Sequence, residues 1–221
     1  MSEFTKALNP MQQQAVMQTE GPLLVLAGAG SGKTTVLVNR VAHILKDLNV
    51  PPYRVLAITF TNKAANEMKS RIENIFGAGV KDMWISTFHS MCVKILRRYI
   101  TRIGYDNNFA IYDTSDSLTL MKQCLKEADL SDKNFPPKSV LSQIGRAKDE
   151  MLTPEEYEKV NGSNFRLANI SKLYNMYQNK LKQNNALDFD DIIFKTVGSN
   201  NTIATILTLL ATFKAIFLIS S

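Results

Sequence analysis

The chain has 221 residues, of which 45% are hydrophobic and 21% charged, so it can bury a core and is unlike disordered or fibrous proteins. Lys and Arg total 26 against 20 Asp and Glu, and the net charge of +6 favours an anionic partner such as a nucleotide or a nucleic acid. The two cysteines, Cys92 and Cys124, are too few for a disulfide framework and lack zinc-ligand spacing, which favours a reducing compartment.

The two ends of the chain favour a cytoplasmic location. The N-terminus has no apolar core behind a basic start, so a secretory signal is not supported. Residues 202–221 are apolar and near the length of a membrane span. Their many Thr residues and the central Lys214 argue against insertion, which costs about 2.5–3.5 kcal/mol for the lysine alone. We therefore expect no membrane association.

Three short apolar runs in the first half of the chain are expected to be strands. They cover residues 23–27, 55–60 and 83–88, and each is followed by apolar residues at the 3.6-residue period of a helix. Gly77 and Gly104 are plausible stops for the second and third helices. Strands that alternate with helices at this spacing predict a parallel sheet with helices packed on it.

The pattern changes between residues 113 and 187, where helical periodicity is present and no convincing strand is found. Thr153, Pro154 and Glu156 indicate a helix start, with Thr153 as the cap and Glu156 reaching back to the cap amide. This stretch is predicted to form a separate helical subdomain.

The strongest motif is AGAGSGKTT, which follows the first predicted strand. It matches the phosphate-loop pattern except that Ala27 stands where the first glycine is usual. Glycines let backbone amides converge on phosphate oxygens, Lys33 supplies a positive charge to the β- and γ-phosphates, and Thr34 supplies a hydroxyl to Mg²⁺. The alternative is a glycine-rich helix start that binds nothing. The predicted nucleotide-binding residues of this loop are Ala27, Gly28, Ala29, Gly30, Ser31, Gly32, Lys33, Thr34 and Thr35.

Five segments stand in order along the chain: LNPMQQQAV, AGAGSGKTT, LAITFTNKAANEM, WISTFHSMC and ALDFDDII. In this order and spacing they resemble the N-terminal part of superfamily 1 DNA helicases of the UvrD/Rep/PcrA type, and the similarity extends from about Leu8 to Phe194. The resemblance implies a RecA-like α/β domain with a phosphate loop, a parallel sheet and an inserted all-helical subdomain. It also implies ATP with Mg²⁺ as cofactors and ATP-driven 3′ to 5′ movement on single-stranded DNA, in DNA repair or replication.

The resemblance assigns roles to residues of the nucleotide site. Lys33 and Thr34 become catalytic, Thr34 through the metal, and Gln12 becomes the residue that reads the adenine edge, since an amide offers one donor and one acceptor. Gln13 and Gln14 are adjacent and compete for this assignment. The family often has an arginine directly after the Lys-Thr pair, where this chain has Thr35.

The resemblance also implies contacts with single-stranded DNA after the second and third predicted strands. There, aromatic rings can stack on bases while hydroxyl, amide and ammonium groups hold phosphates. The alternative is that each segment is a core Phe beside capping residues, with a hydrogen-bonded structural histidine. The implied DNA-binding residues are Thr59, Phe60, Thr61, Asn62, Lys63, Thr87, Phe88 and His89.

Two charged clusters remain open to interpretation. The basic residues Lys94, Arg97, Arg98 and Arg102 are equally consistent with a DNA-binding helix face and with a solvated surface.

Asp188, Asp190 and Asp191 are clustered carboxylates that can hold Mg²⁺. Their apolar neighbours favour packing instead, and by resemblance this stretch returns the chain from the helical insertion to the sheet domain. The neighbours expected to pack are Leu187, Phe189, Ile192 and Ile193.

A helicase motor further needs an Asp-Glu pair, which in the family follows shortly after the Asp-Phe-Asp-Asp segment, and a second lobe that supplies arginines. In this chain the resemblance fades after Phe194, and the last segment looks like a buried strand that ends in Ser220 and Ser221. We expect a truncated motor, arising from a shifted frame or a premature end, with weak or absent ATP–Mg²⁺ binding and hydrolysis near background.

The predicted organisation is a first part of a RecA-like ATP-binding domain in residues 1–110 and a helical insertion in residues 111–186. A return segment in residues 187–195 and a divergent apolar tail in residues 196–221 follow. Two other classes remain: a small phosphate-loop kinase or other NTPase, and a non-catalytic module that binds DNA or a protein partner.

Overall fold

A computed structural model describes residues 3–28, 30–80, 82–198 and 214–217. The helices in these ranges are α1 Pro10–Met17, α2 Lys33–Lys46, α3 Asn62–Phe76, α4 Phe88–Tyr99, α5 Thr114–Glu127, α6 Pro137–Asp149, α7 Pro154–Asn161, α8 Phe165–Gln183 and α9 Phe189–Gly198. The strands are β1 Val55–Thr59, β2 Trp84–Thr87, β3 Ala110–Ile111, β4 Ala186–Leu187 and β5 Lys214–Phe217. The described residues divide into two compact units, one with residues 3–91 and 214–217 and the other with residues 92–198.

The first unit is built on a parallel sheet in the order β2-β1-β5. All five residues of the central strand β1 are buried, as expected for a strand covered on both faces. The chain passes from β1 through α3 to β2, which is the crossover that parallel neighbours require. The strands predicted for residues 55–60 and 83–88 are therefore confirmed, with β2 ending where α4 begins.

The strand predicted for residues 23–27 is wrong. Residues 22–28 have no regular secondary structure, and Leu24 and Leu26 are 74% and 86% exposed. A strand needs a neighbour to pair its amides and carbonyls, and none of the described strands pairs with this segment. Its apolar composition resembled that of β1, but composition alone does not provide a partner.

The last segment of the chain contributes the third strand of this sheet. Lys214–Phe217 pairs in parallel with β1, with Val55 opposite Lys214 and Ile58 opposite Phe217. The strand expected from the apolar character of this segment is confirmed over these residues. The rest of the predicted tail after α9, residues 199–213 and 218–221, lies outside the described residues.

Helix boundaries in the described chain follow the predicted signals. α3 ends at Gly77 with φ 67°, and the short 3₁₀ turn after α4, Ile100–Ile103, ends at Gly104 with φ 80°. The predicted capping box of α7 is present, since Thr153 accepts from the Glu156 amide and Glu156 accepts from the Thr153 amide. None of the described helices has both the length and the apolar character needed to span a membrane.

The second unit is mainly helical, with one hydrophobic core shared by α5, α6, α7 and α8. Met121, Leu125, Leu173 and Tyr174 are fully buried in this core. The expectation of no strand up to residue 187 misses β4, which pairs in parallel with β3 through Ala110–Ala186 and Ile111–Leu187. A strand of two residues is too short to show an alternating pattern in sequence.

A buried ion cluster ties α9 to α6 within this unit. The ammonium of Lys148 lies 2.7 Å from Asp188 Oδ2 and 3.2 Å from Asp191 Oδ1, and all three side chains are buried. Gln178 on α8 donates to both oxygens of Asp191, at 3.2 and 3.3 Å. Because buried charges need partners, this cluster fixes the start of α9 against the helical core.

The surroundings of the cluster determine its protonation. Burial lowers the pKa of Lys148, but the negative charges of Asp191 and Asp188 outweigh it and raise that pKa above its usual value. Lys148 therefore stays charged at neutral pH. Burial also raises the pKa of Tyr177, and Asp188 adds to the rise, so this phenol stays neutral.

The packing role predicted for the apolar residues around these aspartates is only half correct. Leu187 and Ile192 are buried, whereas Phe189 and Ile193 are exposed. The buried face of α9 instead carries Asp191 beside Ile192. A charged residue sits on that face because Lys148 neutralises it there.

We predict that Lys148→Met lowers the free energy of unfolding by about 3–5 kcal/mol, because Asp188 loses its buried counter-charge and Asp191 is left with the more distant ammonium of Lys195, 3.6 Å away. The measurement is urea denaturation followed by circular dichroism. Lys172→Met, on the exposed side of α8, is the matched control and should change stability by less than about 0.5 kcal/mol. Equal effects of both substitutions would contradict the role of the cluster.

The loss of stability caused by Lys148→Met should depend on pH. A pKa raised in the folded state gives stability that is present below the unfolded pKa and lost as pH rises through the folded pKa. The stability difference between wild type and Lys148→Met should therefore shrink above about pH 10. Burial also raises the pKa values of Tyr174 and Tyr177, so the difference between the two proteins is measured, not wild type alone.

Candidate nucleotide and nucleic-acid sites

The glycine-rich loop leads directly into α2. Gly30 and Gly32 have φ values of 74° and 83°, a backbone conformation in which residues other than glycine are strained. Gly32 is the residue before the helix, and it offers no side chain to cap the first turn. The amides at this helix start therefore face the loop with the positive end of the helix dipole behind them.

Lys33 lies in the mouth of this loop. Its ammonium donates to the carbonyls of Ala27 and Gly28, both at 3.0 Å, and the Ser31 hydroxyl donates to the Gly28 carbonyl at 2.7 Å. The positive charge of Lys33 is thus held against the backbone at the start of the loop. Of the other loop residues, Thr34 is half-buried, Thr35 is exposed, and Ala29 lies outside the described residues.

Gln12 reaches the loop from α1. Its Nε2 donates to the carbonyl of Ser31 at 3.1 Å, although the two residues are 19 apart in sequence. Its Oε1 accepts from the backbone amide of Asn9, whose side chain accepts in turn from the amide of Gln12. The two residues form a capping box at the start of α1, and Gln12 is also its link to the loop.

The neighbouring glutamines have other positions. Gln13 donates to the carbonyl of Leu8 at 2.8 Å, and Gln14 is exposed. Of the three adjacent glutamines, Gln12 is the one with a hydrogen bond to the phosphate loop. This geometry favours Gln12 for the nucleotide contact that the sequence left open.

α1 is held against α2 at its other end. Arg40 on α2 donates through its guanidinium to the carbonyl of Ala15, in the last turn of α1. Val16 and Val36 are buried in the small cluster between the two helices. The helix that carries Gln12 is therefore anchored to the helix that carries Lys33.

A second candidate site lies at the carboxyl ends of β1 and β2. The two strands pair in register, with Thr59 opposite Thr87, so the residues that follow them are neighbours. The ring centroids of Phe60 and Phe88 are 6.3 Å apart, and the two residues are 59% and 39% exposed, respectively. Two adjacent exposed rings at a sheet edge provide a surface on which bases can stack.

The remaining predicted DNA-binding residues divide into two groups. Thr59 and Thr87 are buried and hold local turns, since Thr59 donates to the Thr61 carbonyl and Thr87 donates to the Ser90 hydroxyl. Thr61 caps α3 through the amide of Ala64, as the capping alternative expected. The exposed residues around the ring pair are Thr61, Asn62, Lys63 and His89.

The basic face of α4 and the turn after it is partly occupied by contacts within the second unit. Arg97 stacks over the ring of Phe109 at 3.9 Å and donates to the carbonyl of Asn107 at 2.6 Å. The guanidinium of Arg102 lies over the ring of Tyr99 at 5.1 Å. These contacts favour a packing role for Arg97 and Arg102.

Sequence reasoning missed Lys148 and Gln178 as partners of the aspartate cluster. A usable signal was present on α6, where Val140, Ile144 and Lys148 recur every four residues on one helix face. A lysine on an apolar stripe predicts a buried partner of opposite charge. The matching Asp188 and Asp191 stand 40 or more residues further along the chain, so local patterns did not connect them.

The fold and these two sites define an α/β protein that is mostly helical, with short parallel sheets and a glycine-rich loop at a helix start. The family model of the UvrD/REP helicase N-terminal domain matches residues 8–217. The chain therefore belongs to this family, and the match continues past Phe194, where the sequence motifs end.

Curated relatives point to the same family. The chain is 53% identical over 196 residues to the ATP-dependent DNA helicase PcrA of Bacillus subtilis, covering 89% of this chain and 26% of that protein. Similar matches are the PcrA helicases of Staphylococcus epidermidis, 47% identical over 90% of this chain and 27% of the relative, and of Leuconostoc citreum, 47% over 88% and 26%. The chain spans about a quarter of the length of these relatives.

We predict that Gly32→Ala destabilises the chain by about 1–2 kcal/mol, because a side chain is strained at this left-handed position. An added Cβ would also lie 3.1 Å from Nε2 of Gln12. Gly28→Ala is the control, since Gly28 lacks a positive φ and no atom lies within 4 Å of its added Cβ. Thermal denaturation should separate the two variants, and equal midpoints would contradict the proposed strain.

Proposed function

We propose that this chain is the ATP-binding and single-stranded-DNA-binding part of a 3′ to 5′ DNA helicase of the UvrD/Rep type. Family membership and the names of the relatives, which are ATP-dependent DNA helicases, support this assignment. In such a motor, ATP draws two RecA-like lobes together and steps the strand across one of them. This chain corresponds to the first part of one such lobe, with its helical insertion.

The observation that carries the proposal is the position of Lys33. Its ammonium lies between the Ala27 and Gly28 carbonyls at the start of an uncapped helix. Amides, a helix dipole and a lysine ammonium together suit a triphosphate, because each favours negative charge. The loop therefore fits ATP, with Lys33 neutralising the β- and γ-phosphates.

The remaining residues of the loop suit the other parts of the nucleotide. The hydroxyl of Thr34 is the group that would hold Mg²⁺, and the metal would neutralise the phosphate oxygens that it bridges. Gln12 would contact the base, and Thr35 stands where the family often has an arginine. The amides of Gly30, Ser31 and Gly32, together with Ala29, would complete the phosphate cradle.

The ring pair at the end of β1 and β2 supports binding of single-stranded DNA. Phe60 and Phe88 would stack on bases, and Asn62, Lys63 and His89 would contact the backbone without reading sequence. Thr59, Thr61 and Thr87 would hold the turns that present these residues. The net charge of +6 is consistent with an anionic partner.

The proposed domain organisation keeps the sequence-based boundaries. Residues 1–110 form the first part of the RecA-like domain and residues 111–186 the helical insertion, while residues 187–195 return to the sheet domain. Residues 192–221 contain no Asp or Glu, so the 221 residues do not supply the Asp-Glu pair that would polarise water. We expect this chain to bind nucleotide weakly and to hydrolyse it near background.

The nucleotide site is tested by titrating the 221-residue chain with ATP and Mg²⁺ in a calorimeter. Lys33→Ala should weaken binding about 10- to 150-fold, since hydrogen bonds to charged groups contribute about 1.5–3 kcal/mol. The matched control is Lys69→Ala, an exposed lysine of α3 that should leave the affinity unchanged.

Three outcomes would contradict the proposal. The first is no heat with any nucleotide from well-folded protein, and the second is equal loss with Lys33→Ala and Lys69→Ala. The third is rapid ATP turnover by this chain, which would show that the missing acidic pair is not required. Phosphoryl transfer to a small acceptor without DNA would instead favour a phosphate-loop kinase.

The DNA site is tested by fluorescence anisotropy with a labelled single-stranded oligothymidine. Phe60→Ala and Phe88→Ala should each weaken binding about 5- to 150-fold, because stacking on an aromatic ring contributes about 1–3 kcal/mol per base. Wild-type affinity should fall steeply as salt is raised.

Phe165→Ala is the control for this experiment. Phe165 opens α8 and is 83% exposed, so it is a surface ring far in sequence from the proposed site. If the Phe60 and Phe88 variants bind the oligonucleotide as tightly as wild type does, the proposed DNA site is wrong. If ATP and Lys33→Ala both leave DNA affinity unchanged, the chain is a DNA-binding module without nucleotide coupling.

A further inference from the structure

The amide of Gln12 is held in one orientation by its own helix cap. Its Oε1 faces the backbone amide of Asn9 at 3.1 Å, and its Nε2 faces the Ser31 carbonyl at 3.1 Å. An amide oxygen accepts two hydrogen bonds and an amide nitrogen donates two, so each atom has capacity for one more. The cap therefore decides which side of the residue presents the acceptor and which presents the donor.

This orientation matters for the choice of base. Adenine presents a donor at its 6-amino group beside the acceptor N7, whereas guanine presents two acceptors, O6 and N7. A glutamine amide that is fixed in one orientation pairs with the adenine pattern and leaves one mismatched acceptor against guanine. An amide that is turned around or displaced loses its hydrogen bonds to adenine, whereas guanine is mismatched in either orientation, so the preference for adenine falls.

Two residues hold the short helix on which Gln12 sits. Asn9 caps its start, with its side chain accepting from the Gln12 amide at 2.9 Å. Arg40 caps its end from α2 by donating to the Ala15 carbonyl, one of the carbonyls that a helix end leaves without an intrahelical partner. A guanidinium is also the charge that suits a helix C-terminus.

Arg40 is partly withdrawn from solvent at this contact. It is half-buried, and burial lowers its pKa, so the side chain is drawn out of water to reach α1. Val16 and Val36 pack next to this contact. With eight residues, α1 is too short to be stable alone, so its position depends on these two caps and on this packing.

We infer that Asn9 and Arg40 are positioning residues that fix Gln12 and thereby set the preference of the nucleotide site for adenine over guanine. The inference rests on the proposed function, because it assumes that the loop binds a nucleoside triphosphate. Neither residue belongs to the glycine-rich loop, and both bond to α1, so the triphosphate alone should bind independently of both.

The experiment compares ATP, GTP and inorganic tripolyphosphate, each with Mg²⁺, by calorimetry on the 221-residue chain. Asn9→Ala and Arg40→Met should each reduce the ATP-to-GTP affinity ratio about 3- to 10-fold, the value of one hydrogen bond. Tripolyphosphate affinity should stay within about twofold of wild type, which also shows that the variants are folded.

Two further variants separate positioning from general damage. Asn9→Asp keeps the side-chain acceptor that caps the helix, so it should restore the wild-type ratio. Asn39→Ala removes a side chain next to Arg40 that donates to the Thr35 carbonyl of its own helix, and it should leave the ratio unchanged. Gln12→Ala gives the ratio expected when the reading amide is absent.

The outcomes distinguish the inference from the function on which it rests. If wild type binds neither ATP nor tripolyphosphate, the proposed function fails and the inference fails with it. If wild type prefers ATP and both variants keep that preference, the inference alone is overturned. Loss of tripolyphosphate binding in Arg40→Met would place Arg40 in the loop's general stability and overturn its positioning role.

Discussion

The parallel pairing of β1 with β2 is the constraint on which the first unit depends. β1 is buried along its whole length, with β2 on one side and β5 on the other. The register that places Thr59 opposite Thr87 also places Phe60 beside Phe88. A shift of one residue along this ladder would turn one ring to the opposite face of the sheet and separate the pair.

The loop and its flanking helices form a second, smaller system. α2 supplies Lys33 at its start and Arg40 two turns later, so one rigid helix carries both the ammonium of the loop and the anchor of α1. Gln12 closes this arrangement by bonding back to Ser31. The proposed phosphate binding and the proposed base recognition therefore depend on the same helix, although they are assigned to different side chains.

The strands and helices with strong local signals were predictable from sequence. β1 and β2 are short apolar runs between turn residues, and Gly77 and Thr153 mark helix ends by their own chemistry. Residues 23–27 carry the same apolar signal as β1 and yet remain outside the sheet, because pairing depends on a partner elsewhere in the chain. The left-handed turns at Gly30 and Gly32 follow from the motif itself.

The candidate sites were also predictable only as far as local sequence patterns define them. Lys33 and Thr34 belong to one continuous motif, but the choice of Gln12 over Gln13 needed the contact with Ser31. The ion cluster of Lys148, Asp188 and Asp191 joins residues that no local period relates. Long-range pairs of this kind become visible only once the helices are packed.

The unpaired segment ahead of the phosphate loop has a practical consequence. Leu23, Leu24, Val25 and Leu26 form a run of four exposed aliphatic residues, and none of the described strands pairs with this run. Exposed apolar runs of this kind promote self-association as the protein concentration rises. Calorimetry on this chain should therefore use dilute samples. Light scattering will show whether the measured heats come from ligand binding or from self-association.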